Sequence, residues 1–302
     1  MYANLFHKLF FLLPLVYHPT KHGIDTSSGS ANSGWNFDEH GLDWEGTCMT
    51  GRRQSPIRLS IDSSLIMPLP RIFFGNYDER LNRPLTLVNK GYTVDMAIPE
   101  TRIGQKPFIT GGLLKGKYVA EGVHFHWGSP TTRGAEHIIN KRRFDIEMHI
   151  VHRNAHYNNI SEALNYPDGI AVLGIMLKIT RTPDRIYPGL RKVFAELPNV
   201  IEYHAKGELP GTITLGQLLG DLNTRNFYTY KGSLTTPDCN EAVTWTVFPQ
   251  PIPIPYSEAA KLWQVLDVNG NPLENNYRAQ QRRNNRPVFY RTINLSNYYL
   301  RK

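Results

Sequence analysis

Val123-His124-Phe125-His126-Trp127-Gly128, followed further along by Glu147-Met148-His149, decides how this chain reads. Successive side chains of a strand alternate between its faces, so residues i and i+2 project together. His124 and His126 therefore share one face of a first strand, and Glu147 and His149 share one face of a second. A loop containing Gly134 separates the two, and strands joined this way can pair antiparallel. Three neutral imidazoles brought together are the donor set of a catalytic zinc site whose fourth position stays open. A carboxylate beside a ligand histidine is the partner that fixes its ring. On the residues alone, the alternative is three ordinary hydrogen-bonded histidines of a sheet. His137 and His152 are read that way; His152 lies three residues after His149 and faces the other side.

Outward from this pair, strand signals dominate. Residues 118–127 and 144–152 carry the histidines; 85–96, around a Lys90-Gly91 punctuation, 170–179 and 241–248 read as further strands. The stretch 170–177 (IAVLGIML) is almost wholly apolar, as in a strand covered on both faces. Helices are few. Ser257 can cap a helix with Ala259, Leu262, Trp263 and Leu266 as its apolar stripe. Leu190, Val193, Phe194 and Leu197 make another, begun at Pro188 and stopped by Pro198. Thr214 with Gln217 is a capping-box start for a third. No composition break follows Gly34, so one sheet-centred, mainly β domain with peripheral helices is expected.

The chain has 302 residues, 40% of them hydrophobic, and a net charge of +8. That is enough for one large domain or two small ones. Basic residues are scattered except at Gln281-Arg282-Arg283-Asn284-Asn285-Arg286. No stacking aromatics interleave with that cluster, so it reads as a solvated basic surface and not a nucleic-acid site. Residues 9–17 (LFFLLPLVY) form an apolar run behind Lys8, short of the ~20 residues a membrane span needs. The run has the form of a secretory signal core, an N-terminal arm packed on the domain being the alternative. Residues 1–20 are thus read as a signal peptide without a clean cleavage site, 21–34 as a flexible lead, and 35–302 as the folded domain of a secreted, monomeric protein. Cys48 and Cys239 lie in no CxxC pattern. A pair behind such a start suggests one disulfide, two buried thiols being the alternative. Sequons at Asn159 and Asn294 fit a glycoprotein. No hydrophobic tail follows Tyr299, so no lipid anchor is expected.

The motifs together resemble the α-class carbonic anhydrases. The resemblance rests on residues 123–128, Gly134-Ala135-Glu136-His137, 144–152, 168–177, Gly232-Ser233-Leu234-Thr235-Thr236-Pro237, Val243-Thr244-Trp245, Asn276-Tyr277-Arg278 and Asn284-Asn285-Arg286. Trp35 and Arg53-Gln54-Ser55-Pro56-Ile57 match as well, so nearly the whole chain after the lead is covered in family order. The resemblance implies a large, mostly antiparallel twisted sheet with Zn2+ on His124, His126 and His149 at the floor of a conical cleft. It implies a Cys48–Cys239 disulfide, reversible hydration of CO2 to bicarbonate, and Glu147 orienting His149. Thr235 would accept a hydrogen bond from the attacking hydroxide and donate its own to Glu136. Thr236 would line the polar side, and Val151, Val172, Leu234, Val243 and Trp245 the apolar wall for CO2.

Five features depart from the family. Gly122 stands where a glutamine usually supports the first ligand, so His124 would rest on water or a backbone carbonyl. Tyr92 replaces the histidine proton shuttle, and Phe37 replaces a tyrosine of the cleft water network; a tyrosine of ordinary pKa, about 10, is a poor shuttle near neutrality. Thr235-Thr236-Pro237-Asp238 lacks the second proline, whose preceding bond is normally cis, so a reshaped loop is expected. Asp95 adds a carboxylate to the wall and should disfavour anions. The main reading is a hydro-lyase with slow proton export. A weakly active or non-catalytic binding module on the same scaffold is the first alternative. A zinc hydrolase is the second, but the chain lacks an HExxH helix or a free carboxylate base.

Overall fold

The apolar run at 170–177 lies where its composition puts it, in the middle of a sheet. In the computed structural model, which describes residues 34–181 and 186–292, the strands that matter for the site are β1 (Thr86–Asn89), β2 (Val94–Ala97), β3 (Tyr118–Trp127), β4 (Ile146–Asn154), β5 (Ile170–Thr180), β6 (Phe227–Gly232) and β7 (Val243–Pro255). They belong to a twelve-stranded sheet in the order Lys206–Glu208, β1, β2, β3, β4, β5, β7, β6, Phe289–Arg291, Leu65–Met67, with Phe73–Gly75 and Phe108–Thr110 paired beside β3. β5 has a strand on each side, and all of residues 170–177 are buried. Among the described residues the sheet is antiparallel except where β5 meets β7 and where Phe289–Arg291 meets Leu65–Met67. The mainly β, sheet-centred fold expected from the sequence is therefore the fold observed.

Alternation sorts the side chains. Val123, Phe125, Met148, Ile150 and Leu173 point to one face and pack with Leu190, Val193 and Phe194 of α1 (Pro188–Glu196). Each such burial contributes roughly 1.5–3 kcal/mol. The opposite face carries the histidines and, further along, Val172, Trp245 and Tyr230. The segment 85–96 is a hairpin, β1 and β2, whose turn is closed by Lys90 N–H donating to Thr93 O, with Gly91 at φ 77° in the left-handed region that glycine enters at no steric cost. Thr214 and Gln217 form the reciprocal capping pair: each backbone N–H donates to the other's side-chain oxygen at 3.2 Å.

Three expectations need correcting. β7 does not end at Phe248 but continues through Pro249, Pro251, Pro253 and Pro255. Beyond Val247 it pairs only with β5. Prolines at every second position withdraw N–H groups from the unpartnered side alone, as on an edge strand, while Ile252 and Ile254 stay buried. The helix expected from Ser257 is a single turn, Tyr256–Ala259, followed by a 3₁₀ turn at Leu262–Gln264. Pro255 holds the cap position; Ala259 and Leu262 are buried by tertiary packing, which needs no long helix. The basic cluster is not a solvated surface throughout. Arg286 is buried and donates to Gln54 O and Lys231 O, so it pins loops together.

The signal-like run, the lead up to residue 33 and the sequon at Asn294 lie outside the described residues. No described helix is long and apolar enough to cross a membrane.

Candidate metal centre

Strand register assembles the centre. β3 and β4 pair with His124 opposite His149 and His126 opposite Glu147. Opposite residues share a face with Cβ atoms ~5 Å apart, so the i, i+2 spacings become a four-residue cluster. His124 Nε2 and His149 Nδ1 approach to 3.2 Å. A donor nitrogen from each of His124, His126 and His149 lies within 4.8 Å of the other two.

The partners behind the rings set the tautomers. His126 Nδ1 sits 2.7 Å from Asn276 O and must donate to it, leaving Nε2 as a lone pair. That Nε2 is buried and has no hydrogen bond. His149 Nε2 lies 2.8 Å from Glu147 Oε1 and donates there, so Nδ1 is the lone pair facing the cluster. Glu147 is itself gripped: the His137 backbone N–H donates to its Oε2 and His137 Nδ1 to its Oε1, both at 2.7 Å, and His137 Nε2 shares a hydrogen bond with Tyr230. Burial alone would raise the Glu147 carboxyl, but the electrostatic attraction of His137 and His149 and the hydrogen bonds they donate outweigh it and hold it well below the ordinary range. Gly174, opposite His149, makes the room: a Cβ there would stand 2.8 Å from Glu147 Oε1. Burial, reinforced by His149 and the third ring, pushes His124 well below the ordinary histidine value. Burial also lowers His126, despite Glu136 and the bond to Asn276. Neutral rings with convergent lone pairs, one buried and unpartnered, are what a zinc ion requires of its ligands.

A cavity of about 120 Å³ opens over the rings, room for a few molecules at the ~30 Å³ each occupies in liquid water. Tyr92, Thr93, Asp95, Val151, Val172, Leu234, Thr235, Thr236 and Trp245 line it with the three histidines. Val243, expected on the same wall, does not line it; at the start of β7 it is fully buried in the layer that holds Val172 and Trp245. Glu136 is fully buried; its Oε1 accepts from Arg278 N–H at 2.8 Å. The hydrogen bond expected from Thr235 is not formed. Glu136 Oε2 is turned towards His126 Nε2, 3.6 Å away, and has no hydrogen bond. Tyr92 packs on Trp35 at 4.9 Å between ring centroids; burial, then Asp95 and Tyr203, raise its phenol above the usual value. Phe37 is buried with its ring 6.3 Å from that of His126.

The Pro237–Asp238 peptide is cis although aspartate replaces proline, and Cys239 N–H donates to Thr236 O. Cys48 and Cys239 form a disulfide. Asn276 had no assigned role in the sequence. Besides holding His126 it accepts from Trp127 N–H and donates to Tyr92 O, tying ligand strand and cleft rim together. Only its place beside an arginine in a family motif hinted at this.

Such a trio on a β-sheet, two of its rings held from behind, is a group that could hold a metal ion. Comparison with known proteins goes further. The profile of the eukaryotic-type carbonic anhydrases matches residues 33–292. The chain is 34% identical over 267 residues to putative carbonic anhydrase 5 of Caenorhabditis elegans, covering 88% of this chain and 84% of that protein. It is 33% identical over 240 residues to carbonic anhydrase 15 of Mus musculus (76% and 72% covered) and 32% identical over 270 residues to carbonic anhydrase 6 of Homo sapiens (85% and 82%). The chain belongs to the eukaryotic-type carbonic anhydrase family, and its class of activity is that of a carbonate dehydratase.

One pH effect follows from the wall. Burial raises the Asp95 carboxyl to about 6, partly offset by Lys90. A raised folded-state value means that the folded protein holds this proton more tightly than the unfolded chain. The associated stability is complete below pH ~4 and is lost as pH rises through about 6. In the metal-free protein, Asp95→Asn should therefore raise stability at pH 8 by up to ~3 kcal/mol and leave it unchanged near pH 3.5. Urea denaturation at both pH values measures this.

Proposed function

We propose that the chain hydrates CO2 reversibly with a zinc ion held by His124, His126 and His149, and that proton export is its slow step. The observation that carries the metal is the set of back-locked rings, above all the buried, unpartnered His126 Nε2. When bound, zinc supplies a Lewis acid that makes a water nucleophilic near neutral pH, an effect for which carbonic anhydrases are the standing example. The chain's residues do the rest. Val151, Val172, Leu234 and Trp245 offer uncharged CO2 an apolar surface. The Thr235 hydroxyl accepts a hydrogen bond from the attacking oxygen and, after a turn of its side chain about Cα–Cβ, donates to the free Glu136 Oε2, which fixes the direction of attack. Thr235 N–H and Thr236 hold a bicarbonate oxygen on the polar side.

Proton removal falls to Tyr92 at the rim, and its raised phenol makes it a poorer acceptor than an ordinary tyrosine near neutrality. Stopped-flow CO2 hydration over a series of imidazole concentrations tests this. Turnover should climb steeply with buffer, and Tyr92→His should raise the low-buffer rate about tenfold or more. Full speed without buffer would refute slow export; metal analysis of the same samples should give one zinc per chain. The disulfide supports an oxidising, extracytoplasmic setting. Asn159 is exposed, its Oδ1 accepting from Glu162 N–H, so its amide nitrogen can carry a glycan.

A further inference from the structure

His126 and His149 each have the nitrogen pointing away from the cluster held, by Asn276 O and by Glu147. His124 does not. Its Nε2 faces the His149 Nδ1 lone pair at 3.2 Å, and its Nδ1 has no hydrogen bond among the described residues. The residue two before it on the same face is Gly122, which brings no side chain. Pairing with β2 places Asp95 directly opposite His124 and Ala97 opposite Gly122. These four positions form one square on the cleft face, and Asp95 is its only acceptor side chain. A Cβ on Gly122 would lie 3.8 Å from Asp95 Oδ2, so the carboxylate borders the space that the glycine leaves. Asp95 makes no side-chain hydrogen bond of its own among the described residues.

We propose that Asp95 is the positioning residue of His124, its carboxylate accepting the Nδ1 proton through one bridging water, from the neighbouring strand. This rests on His124 being a zinc ligand. A carboxylate behind an imidazole fixes the tautomer and makes the ring a better donor, and losing such a partner typically costs about 10–100-fold in metal affinity. Asp95 touches neither substrate nor metal in this role.

The test is zinc affinity, measured by chelator competition on wild type, Asp95→Asn, Asp95→Ala, and Asp95→Ala combined with Gly122→Gln. The Gly122 site admits a side chain, since its Cβ would meet nothing closer than Met96 O at 3.5 Å. Asp95→Ala should weaken zinc about 10–100-fold and Asp95→Asn less, because an amide oxygen can still accept. Gly122→Gln should restore much of the loss in the Asp95→Ala background, which a merely structural role for Asp95 would not allow. Circular dichroism of each variant confirms folding. Equal zinc affinity in wild type and Asp95→Ala would overturn the positioning role while leaving the metal centre intact. Failure of wild type itself to bind zinc would overturn both.

Discussion

His149→Ala should fold, bind zinc more than about a hundredfold more weakly than wild type, and show no CO2 hydration above buffer at ambient zinc. The size of the effect follows from what is removed. Loss of a residue behind a ligand already costs about 10–100-fold, and here the ligand itself goes. Folding should survive because Glu147 does not depend on His149 alone. The His137 backbone N–H and ring still donate to both of its oxygens, and Tyr230 and Ser55 continue the chain behind them. A buried carboxylate that keeps two donors avoids the large cost of an unpaired charge. Equilibrium dialysis with zinc and urea denaturation separate the outcomes. Wild-type hydration in this variant would refute the assignment of His149. Collapse of the fold at equal zinc affinity would make His149 a structural residue.

The centre was legible because strand periodicity is strict. Once 118–127 and 144–152 were strands, His124, His126, Glu147 and His149 had to share a face if the strands paired, and register then placed His124 opposite His149. The doubly covered β5 was legible for a similar reason, since a continuous apolar run has no polar face to offer. What the sequence could not show depends on partners far away in the chain. Asn276 reaches His126 through a backbone carbonyl, and carbonyls leave no trace in composition. Strand β7 runs past the expected end at Phe248 because a proline's tolerance depends on which side of the strand is open, which only the pairing shows. Arg286 looked solvated because its acceptors, Gln54 O and Lys231 O, belong to separate loops. The square of Gly122, His124, Asp95 and Ala97 needed the register of β2 as well.

Replacing both Cys48 and Cys239 by serine should lower stability by about 5 kcal/mol and reduce catalysis while leaving zinc affinity nearly unchanged. The bridge joins positions 191 residues apart, and closing so long a loop in the unfolded chain accounts for roughly that amount in the chain-entropy model. For a domain of this size, each kcal/mol corresponds to about 2–4 °C in Tm, so a fall of about 10–20 °C is expected. The catalytic effect has a separate cause. Cys239 directly follows the loop that carries Thr235 and Thr236, and Gln54 Nε2 donates to its carbonyl. Across the bridge, Arg278 donates to Cys48 O with its guanidinium and to Glu136 Oε1 with its backbone N–H. Severing the bridge should therefore loosen both groups proposed to aim the nucleophile, Thr235 and Glu136. The proposed ligands sit on β3 and β4, whose pairing contains neither cysteine, so zinc affinity should be kept. Guanidinium denaturation, zinc titration and CO2 hydration on one preparation resolve the three quantities. A variant that lost zinc in parallel with activity would show that the bridge supports the strands and not the loop; one as stable as wild type would show that the unfolded chain gains nothing from release.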